Sequence, residues 1–183
     1  AQDIFNLLKN KFDKSIIHKY YRNSPKHKFI LDQISIIKRN LSILEIGCSS
    51  GHFVASLRGL GYDAYGMDIS ENAVSYGEKK FGNYFFTPET LNKKQLTFDL
   101  VIILGTIGCV EDPIKFIEQN LKYLKDKNSF ILLNAANREY LDYSKERWVS
   151  TLPPDLNILF TPSFWEKREF KNNYISTTSI SYL

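Results

Sequence analysis

The 183 residues are enough for one α/β domain, and a content of 43% hydrophobic and 14% aromatic residues supplies a sizeable core, which excludes a disordered chain. The net charge of +4 is spread in short pairs such as Lys79-Lys80 and Lys93-Lys94, not gathered in a run, so no nucleic-acid partner is expected. The cysteines Cys48 and Cys109 and the histidines His18, His27 and His52 stand at no metal-ligand or C-x-x-C spacing, which suits a reduced, cytoplasmic setting without a metal. The longest apolar run, Leu100 to Val110, is too short to span a bilayer, nothing at the start reads as a signal peptide, and no membrane partner is expected.

Residues 1–40 read as an N-terminal helical cap, and 41–183 as the main domain. Ile4, Leu7, Leu8 and Phe12 recur at helical spacing, Ser24-Pro25 is a helix start, and Ile30, Ile34 and Ile37 mark one buried face. From Leu41 strands and helices alternate. Leu41 to Ile46 is a short apolar strand. Phe53, Val54, Leu57 and Leu60 form a helical stripe closed by Gly61. Tyr62 to Met67 is a second strand, and Asp68 and Ser70 open a helix that ends near Gly82. Asn83 to Thr87 is a weaker third strand and Phe98 to Leu104 a fourth, almost wholly apolar, as in a strand covered on both faces. Asp112-Pro113 starts a helix lined by Ile114, Ile117, Leu121 and Leu124, and Phe130 to Leu133 is a fifth strand. Such alternation predicts a doubly wound, Rossmann-like α/β domain with a mostly parallel sheet, binding its ligand at the carboxyl ends of the strands.

The strongest chemical signal is Leu44-Glu45-Ile46-Gly47-Cys48-Ser49-Ser50-Gly51-His52-Phe53, where strand one becomes a helix. Glycines there allow tight bending and close ligand approach, and the helix start adds free N–H groups at the positive end of its dipole. A dinucleotide turn needs G-x-G-x-x-G; here Ser49 and His52 hold the second and third glycine positions, so only the first survives. The second signal is Tyr65-Gly66-Met67-Asp68-Ile69-Ser70. A carboxylate after strand two, about 20 residues past the loop, suits two vicinal ribose hydroxyls, which are donors in need of two acceptor oxygens.

These two stretches resemble motif I (E-x-G-x-G-x-G) and the following acid of the class I S-adenosylmethionine-dependent methyltransferases, in their small-molecule branch (the methyltransferase domain 23/11 type). Ser49 replaces the middle glycine. Phe98-Asp99-Leu100-Val101 with Val110-Glu111-Asp112-Pro113 is similar to a later family motif, with Gly108-Cys109 in place of its E-H pair. Pro153-Pro154-Asp155-Leu156 with Phe160-Thr161-Pro162 resembles a late stretch of one branch. The resemblance spans about Leu41 to Trp165. It implies S-adenosylmethionine as cofactor, with Glu45, Gly47, Cys48, Gly51, Asp68, Ile69, Glu89, Leu104 and Tyr21 as binding residues. It implies methyl transfer to the oxygen or nitrogen of a small-molecule or saccharide acceptor entering near Thr106–Cys109 and Asn134–Arg138.

The catalytic residue is not identified: the family histidine position holds Cys109, and His18, His52 and Glu111 are the nominees for a base. The alternative is a non-catalytic relative that binds the cofactor or a partner protein. A nucleic-acid methyltransferase would show an N/D-P-P-Y-like tetrad after strand four, where Leu104-Gly105-Thr106-Ile107 stands. Only one strand, Tyr174 to Tyr182, is legible after Trp165. With Ala1 at the start, this leaves three readings open: a shortened chain, a part of a larger polypeptide, or a degenerate form.

Overall fold

The computed structural model describes residues 14–37, 40–139 and 157–166. It divides into two compact units, residues 1–95 and 96–183. The expected stripe from Ile4 to Phe12, the Pro153–Leu156 stretch and the strand Tyr174–Tyr182 lie outside the described residues.

The first unit opens with helices α1 (Lys14–Asn23) and α2 (Pro25–Ile37), which break at Ser24 as the Ser-Pro pair demands. Ile30 and Ile34 are buried one helical turn apart, but Ile37, expected on the same face, is exposed at the helix end. Strand β1 (Ser42–Ile46), helix α3 (His52–Gly59), strand β2 (Asp63–Met67), helix α4 (Glu71–Phe81), strand β3 (Phe85–Phe86) and helix α5 (Pro88–Lys94) follow. The strands lie in the order β3-β2-β1, with both pairs parallel. Ile43, Leu44, Ile46, Phe53, Val54, Leu57, Ala64, Phe85 and Leu91 are buried and form the core of this unit.

Local chemistry sets the boundaries. Gly61 ends α3 at φ 91, with its own N–H on Arg58 O and the Tyr62 N–H on Leu57 O; this double closure needs a residue free to adopt left-handed backbone. Ser70 caps α4 by accepting from the Ala73 N–H at 3.3 Å. Strand β3 is shorter than expected, and α5 is an element that periodicity did not suggest. The reason is Thr87-Pro88: Thr87 and Thr90 make a reciprocal capping box, and Pro88 cannot donate to a strand ladder but fits a first helical turn.

The second unit carries β4 (Leu100–Leu104), α6 (Pro113–Asn120), a 3₁₀ turn (Leu121–Tyr123), β5 (Phe130–Asn134) and α7 (Pro162–Glu166). Strands β4 and β5 pair in parallel from Leu100 opposite Phe130 to Leu104 opposite Asn134. Leu100 to Ile103 are buried, as their unbroken apolar run requires. Asp112 caps α6, its Oδ1 accepting from the Ile114 and Lys115 N–H groups. Within each unit the strands pair in parallel, as in an α/β chain. Among the described residues no helix is long and apolar enough to cross a membrane.

Candidate active site

Register brings the two sequence signals together. Ile46 stands opposite Met67, the last residue of each strand, so Gly47 and Asp68 leave the sheet side by side. Both Gly47 N–H and Cys48 N–H donate to Met67 O, at 2.8 and 3.1 Å. The Ser49 N–H then donates to Asp68 Oδ2 at 2.7 Å, and the Ser70 N–H to Asp68 Oδ1 at 2.9 Å. The Asp68 carboxylate therefore braces the loop after β1 against the start of α4 and keeps further lone pairs for a ligand.

The loop bends at three left-handed residues, Gly47 (φ 74), Ser49 (φ 48) and Gly51 (φ 77). A serine's Cβ disfavours this conformation, yet Ser49 adopts it, since its N–H gains a charged acceptor there. Ser49→Gly is expected to raise stability by up to about 1 kcal/mol in urea unfolding, through relief of that strain; a loss of stability would contradict the strain. Gly51 is the N-cap of α3 and offers no side-chain cap, so the first-turn N–H groups of that helix have no intrahelical acceptor and stand at its positive dipole end.

Glu45 is buried, 5% exposed, near the end of β1. Its charge reaches two other sequence-selected residues. The Tyr21 hydroxyl is pushed far above its ordinary range by burial, then by Glu45 and Tyr20, and the Cys48 thiol is pushed up by burial, then by Glu45 and Asp68. Both shifts favour the protonated form. Tyr21 comes from α1 and packs its ring 5.1 Å from Phe53 in the first turn of α3 and 4.6 Å from His27. The sequence thus assembles Tyr21, Glu45, Cys48, Gly47, Gly51 and Asp68 in one region.

With these contacts in view, the family profile described as "Methyltransferase domain" is found to match residues 16–173. The chain belongs to the methyltransferase domain family. Among its relatives, the ubiquinone biosynthesis O-methyltransferase of Rickettsia typhi is 28% identical over 133 residues, covering 67% of this chain and 52% of that protein. The chain therefore spans about half the length of that curated relative. The plantazolicin methyltransferase BpumL, solved with a desmethylPZN analog and SAH, superposes with TM-score 0.53 at 26% identity, covering 76% of this chain and 60% of that one. A SAM-dependent methyltransferase from Archaeoglobus fulgidus, at 16% identity and TM-score 0.54 over 90% of this chain and 70% of that one, shares the fold. The methyltransferase domain thus has the Rossmann-like fold of the class I enzymes, a family whose cofactor is S-adenosylmethionine.

Ile69, next to Asp68, is 88% exposed, an apolar side chain held in solvent at the site. Glu89, in the first turn of α5, is exposed and accepts from Lys93 Nζ at 2.6 Å, which holds its carboxyl below the usual range. Leu104 ends β4 in the second unit, half-buried, before Gly105 at φ 75. In that unit the expected acceptor loops are fastened by residues 157–160, which lie within the late stretch singled out by resemblance, though the fastening role itself was not expected. The Asn157 and Ile158 N–H groups donate to Gly108 O, the Asn157 side chain donates to Cys109 O, and Phe160 bridges Asn137. The signal of this segment in the sequence was the short apolar run Ile158-Leu159-Phe160 after Asn157.

Proposed function

We propose that this methyltransferase domain binds S-adenosylmethionine on the loop Gly47–Gly51 and Asp68, and directs its methyl group to a small-molecule or saccharide acceptor. The observation that carries the reading is the 2.7 Å bond from the Ser49 N–H to Asp68 Oδ2, which makes loop and acid one site. The residues fit the group. Left-handed Gly47 and Gly51 keep side chains out of the bend, and the uncapped start of α3 suits the carboxylate of the methionine part. The free lone pairs of Asp68 suit ribose hydroxyls, and exposed Ile69 suits the apolar face of a purine. Tyr21 is proposed to border the methionine part and Glu45 and Cys48 to shape the loop. Glu89 and Leu104 keep proposed places on the resemblance alone.

When bound, the sulfonium supplies a methyl carbon on a good, already cationic leaving group. The chain's own work is then to orient: a well-aligned attack is worth up to about 7–11 kcal/mol of barrier. For a hydroxyl acceptor a positioned base would add roughly 10²–10⁴-fold. Of the nominees, Glu111 is exposed at the turn before α6 and His52 is buried. The side chain of His18 lies outside the described residues.

Two relatives favour a non-polymeric acceptor: one is named for ubiquinone biosynthesis and the other was solved with a desmethylPZN analog. Ser49, in the middle glycine's place, takes the left-handed backbone of the bend at φ 48, which supports the cofactor-binding reading. Calorimetry with S-adenosylhomocysteine followed by a methylation screen over phenols, sugars and amines tests the proposal. The expected result is micromolar or tighter binding with turnover of one acceptor class. Binding without any turnover supports the non-catalytic relative, and absence of binding overturns both.

A further inference from the structure

The loop residue between Ser49 and Gly51 is held from behind. Ser50 Oγ lies 2.7 Å from Nδ1 of His52, the first residue of α3. The imidazole is 8% exposed and packs against Phe81, at 5.3 Å between ring centroids, and Tyr76, at 6.2 Å, both from α4. Its Nε2 is buried with no hydrogen-bond partner among the described residues. An apolar ring would fill this niche without burying a bare polar nitrogen. What the histidine adds is the bond to Ser50.

We propose that His52 is a positioning residue for cofactor binding: through Ser50 it holds the bend from Ser49 to Gly51, and it keeps its buried place there as the neutral imidazole. The proposal rests on the function proposed above. The charged form is disfavoured by burial and by the positive end of the α3 dipole. The groups facing the ring are Ser50 from the loop and Tyr76 and Lys80 from α4, where Lys80 Nζ donates to the Tyr76 hydroxyl at 2.9 Å. Burial first, and then the Lys80 charge, lower the His52 pKa from the ordinary value. Between that lowered value and about 6.5 the unfolded chain binds a proton that the folded chain refuses. Stability therefore falls as pH drops below about 6.5, and affinity for a ligand that needs the ordered loop falls on the same side.

The test compares the unaltered chain with His52→Phe, His52→Asn and Ser50→Ala. S-adenosylhomocysteine affinity is measured by calorimetry from about pH 5.5 to 8, and amide hydrogen exchange at 50–54 is followed without ligand. At pH 7.5, His52→Phe and Ser50→Ala are each expected to bind about tenfold more weakly, with faster exchange, and the double variant no more weakly than either. Asparagine, whose amide reaches near the Nδ1 position, restores most of the affinity and removes the decline at low pH. Unchanged affinity and exchange in both single variants overturns the proposal, as does a decline at low pH that persists in His52→Asn. If His52→Phe does not fold, Ser50→Ala alone decides. If the unaltered chain binds no S-adenosylhomocysteine, the proposed function fails, and the exchange measurement still decides whether His52 orders the loop.

Discussion

Replacing Asp68 with alanine is expected to weaken S-adenosylhomocysteine binding by well over tenfold. Two losses combine. The ribose hydroxyls lose a charged double acceptor, and hydrogen bonds to a charged group contribute roughly 1.5–3 kcal/mol each. The loop also loses its brace, because the Ser49 and Ser70 N–H groups both end on this carboxylate. With 1.4 kcal/mol equal to a factor of ten, two such bonds, about 3–6 kcal/mol, correspond to a loss of roughly 10²- to 10⁴-fold. Asp68→Asn separates the two parts. It keeps one acceptor oxygen but sets an amide NH₂ against one of the backbone N–H groups, so its affinity should fall between those of the unaltered chain and the alanine variant. Calorimetry on both variants checks this, and an Asp68→Ala chain that is folded and binds as tightly as its parent would remove the basis of the site.

Gly51→Ala is expected to be the most damaging single-methyl change in the first unit. A Cβ built there lies 2.2 Å from Phe85 Cε1 and 2.5 Å from Cζ, at a backbone φ of 77 that L side chains avoid. The ring has little room to retreat. A Cβ on Gly66 would come within 2.8 Å of Phe85 Cδ1, and one on Gly77 within 2.8 Å of its Cγ. Three glycines from the loop, β2 and α4 thus clear a slot for one buried phenylalanine on β3. Overpacking costs about 1–3 kcal/mol and left-handed strain about 1–2 kcal/mol, so the variant should lose roughly 2–5 kcal/mol, a large share of a typical domain's stability. Gly77→Ala supplies a control of opposite expectation. In an open helix that change stabilises by roughly 0.5–1 kcal/mol, whereas here it should destabilise. Denaturant midpoints measure both, and a Gly77→Ala chain more stable than its parent would show that the slot is looser than the geometry indicates.

Much of the candidate site's geometry was legible because its requirements are local. Gly47 and Gly51 sit where a strand must turn into a helix, and Asp68 follows the next strand at the spacing a single crossover imposes. Ser70, Gly61 and Asp112 announce their helix ends by residue type, since capping is satisfied within a few residues. Helix α5 was missed although Thr87-Pro88 is a start signal, because no apolar stripe follows it; only Leu91 is buried. Ile37 was placed on a buried face by its spacing, and solvent at the end of α2 took it instead.

By itself the amino-acid sequence determined the alternation of strands and helices, the bend after β1 and the carboxylate after β2, since backbone sterics, capping and apolar periodicity act over short stretches of chain. Only the tertiary structure decided that Tyr21 from α1 reaches the electrostatic range of Glu45, that Phe85 fills a slot left by three glycines, and that His52 turns to Ser50 instead of to solvent. Those facts depend on which residues distant in the chain become neighbours. Strand register and helix packing decide that, and residue type alone does not encode it.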